Sequence, residues 1–69
     1  MVKNDNNQNE VKGMNATYEI VSGIYHIELS VNAVVVAGGN TGCSSYGEAY
    51  IYASKVASSK GYSLDRFSA

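Results

Sequence analysis

Between Tyr25 and Ala37 every odd-numbered residue is apolar, a repeat of two that only an extended strand converts into one continuous buried face. The even positions up to Asn32 are polar, so the opposite face of such a strand is suited to water. Thr17–Val21 is rich in β-branched and aromatic residues and predicts a preceding strand. Ser22-Gly23 between the two segments predicts a tight hairpin turn. The second strand is therefore expected to be long, with a bend or bulge near Asn32.

A helix is predicted to begin after Ser45. Glu48 follows Ser45 by three residues, the spacing at which the two side chains cap a helix start. At the far end, Lys60 falls in the last turn and Gly61 is suited to the left-handed conformation that ends many helices. The residues that share the predicted inner face are Ala49, Tyr52, Ala53, Val56 and Ala57. Because most of them are small, the helix is expected to lie close to the sheet.

Residues Tyr62–Phe67 predict a closing strand. A strand–helix–strand connection places its two strands parallel, so this segment is expected beside the long second strand. The predicted fold is α+β, a β-β-α-β unit with a three-stranded sheet and one helix packed on one face. Residues 1–14 are rich in asparagine and charge, which predicts a disordered polar tail before a single domain at 15–69.

Composition narrows the classes of function. The chain has 69 residues, a formal net charge of -1 and five scattered lysines and arginines, which argues against nucleic-acid binding. Polar residues interrupt its most apolar stretch and the N-terminus lacks an apolar signal, so neither a membrane span nor export is expected, and the predicted location is cytoplasmic. With one cysteine and one histidine, neither an internal disulfide nor a metal site or cofactor is predicted. Self-association is expected to supplement so small a core.

A glycine-rich segment joins the long strand to the helix. Backbone N–H groups at a helix start attract anions, so this segment predicts, as one alternative, a site for a small anion or nucleotide phosphate. Neither the Walker nor the dinucleotide-binding spacing is present, and the glycines would equally serve to reverse the chain. The candidate anion-binding residues are Gly39, Asn40, Thr41, Gly42, Cys43, Ser44 and Ser45.

Cys43 is a candidate nucleophile because a thiol near a helix N-terminus can gain acidity. His26 is the imidazole available as its base, but it falls on the strand face opposite the apolar row. An arginine at the spacing of a phosphatase loop does not follow Cys43. The sequence therefore favours a protein that is not an enzyme.

Three large side chains, Tyr46, Tyr50 and Ile51, are predicted to project away from the inner helical face, with Lys55 beside them. Tyrosines supply rigid contact area with a polar tip, as protein interfaces require. A small domain also has too little interior to hide all its aromatic residues. The pattern favours a non-catalytic accessory or inhibitory domain that binds another protein through these four residues. Self-association is expected through the sheet edge or through the outward tyrosines.

Gly38 and Gly39 follow the apolar Val36, and in these positions the chain resembles bacterial peptide precursors that are cut after a double glycine. The resemblance implies cleavage after Gly39 and a released peptide that starts at Asn40. Those precursors carry an amphipathic helical leader, whereas the residues before Gly38 alternate as a strand. A peptide precursor is therefore the lower alternative.

Overall fold

The computed structural model describes residues 12–69. Within them the chain forms a small α+β fold with a four-stranded mixed sheet and one helix, α1, across one face. The elements in chain order are β1 (Lys12–Val21), β2 (Ile24–Val31), β3 (Val34–Asn40), α1 (Tyr46–Ser59) and β4 (Tyr62–Ser68). Their order across the sheet is β3-β2-β1-β4, so β3 and β4 form its two edges.

The predicted long second strand is wrong, because the chain reverses in its middle. Asn32 and Ala33 have φ of 53° and 67°, and Val31 pairs with Val34 across this two-residue turn. A turn of this length with two positive φ angles matches the twist of the strands that it joins. The order of elements is therefore β-β-β-α-β with four strands, rather than β-β-α-β with three.

The alternation continues through this turn in the sequence, but it does not follow one face of the sheet. Val35 pairs with Ser30, on the face away from the helix, whereas Ala37 pairs with Leu29, on the helix side. A β-bulge between these pairs leaves one extra residue, Val36, in β3. The apolar residues of β3 consequently lie on both faces of the edge strand.

The turn at Asn32 and Ala33 yields a stability prediction. A left-handed conformation costs an alanine roughly 1 kcal/mol because its Cβ crowds the backbone, and glycine avoids this cost. Ala33→Gly is therefore expected to raise the free energy of unfolding by about 1 kcal/mol, measured by urea titration. The control is Ala37→Gly in the adjoining strand, which should lower it by about the same amount. Equal effects of the two substitutions would contradict the assigned turn.

The first hairpin confirms its prediction. Ser22 and Gly23 both have positive φ, and Val21 pairs directly with Ile24. β1 begins at Lys12, earlier than the predicted Thr17, and so includes three residues that were assigned to the polar tail. Met14, one of these three, is completely buried. The rest of the predicted tail, residues 1–11, lies outside the described residues.

The closing strand β4 forms as predicted but has a different neighbour. It pairs parallel to β1, from Lys12 with Tyr62 to Thr17 with Ser68, and not beside β2. β3 and β4 do run in the same direction, but β2 and β1 lie between them. The preference for parallel strands around a helix therefore predicted the direction of β4 but not its partner.

The core lies between α1 and the sheet. Ile27 and Leu29 are buried and Val31 is half-buried, as the alternation predicted. The helix contributes three completely buried alanines, Ala49, Ala53 and Ala57, whose small side chains let its backbone approach the strands. Met14 and Ala16 of β1 complete the buried cluster.

Candidate functional site

The start of α1 is formed by the predicted cap. The Oγ of Ser45 accepts a hydrogen bond from the backbone N–H of Glu48 at 3.3 Å, and its carbonyl accepts one from Ala49 at 3.0 Å. Gly61 has a φ of 83° and donates to the Ser58 carbonyl, as the predicted helix end requires. These two ends set the bounds of α1 at Tyr46 and Ser59.

Next to the helix start, aromatic rings from α1 and the sheet form a cluster centred on Phe67 of β4. The ring centroids of Tyr18, Tyr46 and Tyr50 lie 4.9, 5.3 and 5.6 Å from that of Phe67. Tyr25 extends the cluster, with its ring 5.2 Å from that of Tyr18. These separations lie in the range in which aromatic pairs attract one another.

Tyr46 and Tyr50 therefore do not project away from the inner face, and that part of the prediction is wrong. Both rings lie over the seam between α1 and β4, yet they keep 48% and 41% of their surface exposed. One side of each ring contacts Phe67 while another faces solvent. The contact with Phe67 restricts the orientation of the exposed surface.

The other two predicted contact residues face outward. Ile51 is 55% exposed and Lys55, one helical turn later, is also exposed. Tyr50 and Ile51 are neighbours in the chain, so the exposed surface continues around the helix from the seam to the side opposite the sheet. We call these four residues, Tyr46, Tyr50, Ile51 and Lys55, the α1 strip.

The glycine-rich segment is held against β2 by its own backbone. The carbonyl of Tyr25 accepts hydrogen bonds from both the backbone N–H and the hydroxyl of Thr41, at 3.0 and 2.8 Å. In return, the N–H of Tyr25 donates to the carbonyl of Cys43 at 2.9 Å. The connection between β3 and α1 is thus fixed at Tyr25.

Further hydrogen bonds occupy part of the candidate anion-binding segment. The N–H of Gly42 donates to the Asn40 side chain at 2.7 Å, and that of Cys43 donates to the Thr41 hydroxyl at 3.0 Å. Together with Thr41, three consecutive amides of the segment already have acceptors within the protein. The geometry fits the reading in which Gly39–Ser45 close the connection between strand and helix.

Cys43 and His26 come from neighbouring backbone segments, which are joined by the hydrogen bond from the Tyr25 N–H to the Cys43 carbonyl. The thiol of Cys43 donates to the Thr41 carbonyl at 3.6 Å, a partner in its own loop. His26 pairs with Asn40 on the sheet face away from α1. In residues 12–69, no group of three histidine, cysteine or acidic side chains is placed to hold a metal ion. None of the buried side-chain polar atoms described there lacks a hydrogen-bond partner.

The sheet face away from α1 carries a depression of mixed polar and apolar lining that the sequence did not predict. It is open, has a volume of about 430 Å³, and is lined by Thr17, Glu19, His26 and Glu28 among others. The antiparallel register of β1 and β2 places Glu19 opposite His26 and Thr17 opposite Glu28. These side chains are distant in sequence, and only the first hairpin brings them together.

A second unpredicted feature is a groove of mixed polar and apolar lining between α1 and β3, with a volume of about 230 Å³. Ile27, Leu29 and Ala37 line it on the sheet side, and Tyr52, Val56 and Lys60 line it on the helix side. Helical spacing had placed Tyr52 and Val56 on the inner face; Val56 is half-buried and Tyr52 remains exposed.

Gly38 and Gly39, the pair that resembles a cleavage site, lie within β3 and pair with Glu28 and Ile27. The described residues before them, from Lys12 onward, form strands joined by tight turns and not a helix. A peptidase would have to separate this part of β3 from the sheet before it could cut after Gly39.

Compared with protein-family models, curated proteins and solved structures, the chain matches none of them. Over residues 12–69, the helix falls short of the length and apolar character that a membrane crossing needs.

Proposed function

We propose that this protein is a non-catalytic binding domain that acts on another protein through the α1 strip. The observation that carries the proposal is the aromatic cluster, which holds Tyr46 and Tyr50 against Phe67 while leaving much of both rings exposed. Restricting an aromatic side chain before binding lowers the entropy lost on association. Such rigid, half-exposed tyrosines are characteristic of energetically important positions in protein interfaces.

The chemistry of the strip indicates what kind of partner it suits. Its centre is aromatic and aliphatic, and Lys55 adds a positive charge on its outward side. A complementary partner surface would be an apolar patch bordered by an acidic side chain. By occupying such a patch, the domain would act as an accessory or inhibitory protein without performing a reaction.

Ile51→Lys is the substitution that tests this proposal. Ile51 lies outside the core, so the variant should keep its circular dichroism spectrum while placing a charge in the middle of the strip. We expect the wild-type domain to capture its partner protein from a lysate of the source organism. The Ile51→Lys variant should no longer capture that protein. The captured protein, once purified, should bind the variant at least about 10-fold more weakly by calorimetry, since an unpaired charge in an interface costs more than 1.4 kcal/mol.

The matched control is Val21→Lys, which adds the same charge to an exposed position of β1. Strand alternation places Val21 on the sheet face away from α1, so it lies outside the strip. This variant should bind the captured protein as the wild type does. Equal loss of binding in both variants would show a general effect of charge, and equal retention would show that the strip is not the contact.

A further inference from the structure

A second surface, distinct from the α1 strip, lies at the edge of the sheet formed by β3. Val34, Val35 and Val36 are all exposed there, Val34 to 61%. The strand carries neither a charged residue nor a proline among its seven residues. The outer edge of β3 therefore combines backbone groups without a strand partner in the described residues with apolar side chains on both faces.

The opposite edge of the same sheet shows the usual protection against strand addition. β4 carries two exposed charged residues, Asp65 and Arg66, at the point where a bulge shifts its register with β1. Charges and bulges on edge strands are devices that prevent other strands from pairing with them. β3 has a bulge at Val36 but no charge, so the two edges of this small sheet differ in what they can accept.

The helix leaves β3 uncovered. α1 packs mainly against β4 and β2, and the groove of about 230 Å³ separates it from β3. The groove has α1 on one side and the exposed edge strand on the other. A partner that pairs with β3 and carries a helix on the same face of the joined sheet would therefore close the groove.

We infer that the occupant is a second copy of this chain, joined by antiparallel pairing of the two β3 strands into one eight-stranded sheet. When two identical edge strands pair antiparallel in one sheet, the two-fold axis that relates the copies is perpendicular to the sheet. The rotation leaves each copy with its helix on the same face, so both helices lie on one face of the joined sheet. The two grooves then merge into one trough above the paired β3 strands, with Tyr52, Val56 and Lys60 of each copy along its two sides. The paired strands themselves meet without like-charge repulsion, because β3 carries no charged residue.

Val35→Lys tests the pairing, because the two-fold axis brings both introduced charges to the same interface. The wild-type chain is expected to have twice the mass of one chain in analytical ultracentrifugation, with dissociation on dilution. Val35→Lys should raise the dissociation constant at least about 100-fold, since facing like charges cost several times 1.4 kcal/mol. Val35 is exposed on an edge strand, so an unchanged circular dichroism spectrum is expected.

Two further variants locate the contact. Val21→Lys adds the same charge at an exposed position of β1, an interior strand, and should leave the dimer intact. Tyr52→Lys should weaken the dimer, whereas Ile51→Lys should not, because only Tyr52 lines the trough. The proposed arrangement would be overturned if the wild type were monomeric at about 1 mM. It would also be overturned if the dimer were insensitive to Val35→Lys or to Tyr52→Lys.

Hydrogen exchange adds a readout that is independent of mass. Pairing of the two edges would protect the outward-directed amides of Val34–Ala37, and Val35→Lys should return them to fast exchange. Fast exchange at all of these amides in the wild-type dimer would place the contact elsewhere. Because Ile51→Lys alters the strip but not β3, the dimer and the proposed protein-binding function can fail separately.

Discussion

Leu29→Ala is expected to remove most of the stability of this domain. Leu29 is completely buried in β2, where it packs in one cluster with Met14 of β1 and Ala53 of the helix. Truncation of a buried leucine costs about 2–5 kcal/mol, through lost burial and the cavity that remains. A domain of this size is expected to have only about 3–10 kcal/mol in total, so the variant should lose about half of its stability or more.

Urea unfolding followed by circular dichroism measures this loss as a lower transition midpoint. The control is Ile20→Ala, which removes the same number of carbon atoms from an exposed position of β1. Surface substitutions of that kind change stability by about 0.5 kcal/mol or less. Similar midpoints for the two variants would contradict the position assigned to Leu29 and, with it, the packing of β2 beneath α1.

Ala53→Leu is expected to have the second-largest effect, for the opposite reason. Ala53 is completely buried at the middle of the inner helical face, between Ala49 and Ala57. Three additional carbon atoms at this position would push α1 away from the sheet and disturb the contacts of the whole core. Overpacking of this kind costs about 1–3 kcal/mol, which for a domain of this size corresponds to a fall of about 5–20 °C in Tm.

Differential scanning calorimetry of Ala53→Leu tests this expectation, and Ser58→Leu is its control. Leucine and alanine have nearly the same helix propensity, so the loss at Ala53 would not arise from the helix itself. Ser58 is exposed, and leucine there should leave Tm almost unchanged or raise it slightly. An unchanged Tm for Ala53→Leu would mean that the helix does not approach the sheet as closely as the buried alanines indicate.

The α1 strip and the β3 edge lie on separate parts of the surface, so both could be used at once. A dimer joined through β3 would present two copies of the strip, one on each helix, both on the same face of the extended sheet. If the partner also carries two sites, the second contact would form within the complex and raise the overall affinity. Val35→Lys would then weaken capture of the partner without touching the strip.

Sequence alone determined the local elements of this fold. Alternation predicted which side of β2 is buried, Ser22-Gly23 predicted the first turn, and Ser45 and Gly61 predicted the two ends of the helix. Each of these features depends on residues close together in the chain, through side-chain periodicity, positive φ or a capping hydrogen bond. All of them can therefore be recognised without knowledge of the rest of the molecule.

The tertiary structure alone decided which strands pair and where the alternating segment turns. Asn32 and Ala33 lack the glycine that would mark a turn, and Ala33 adopts a left-handed conformation that costs it free energy. Folding β3 back on β2 gives backbone hydrogen bonds to both segments. Placing β4 beside β1 extends the sheet next to Met14, which pairs with Leu64. The sequence indicated a bend or bulge near Asn32 but not a full reversal there. The pairing of β4 with β1 joins residues far apart in the chain, such as Lys12 and Tyr62, so no local pattern contains it.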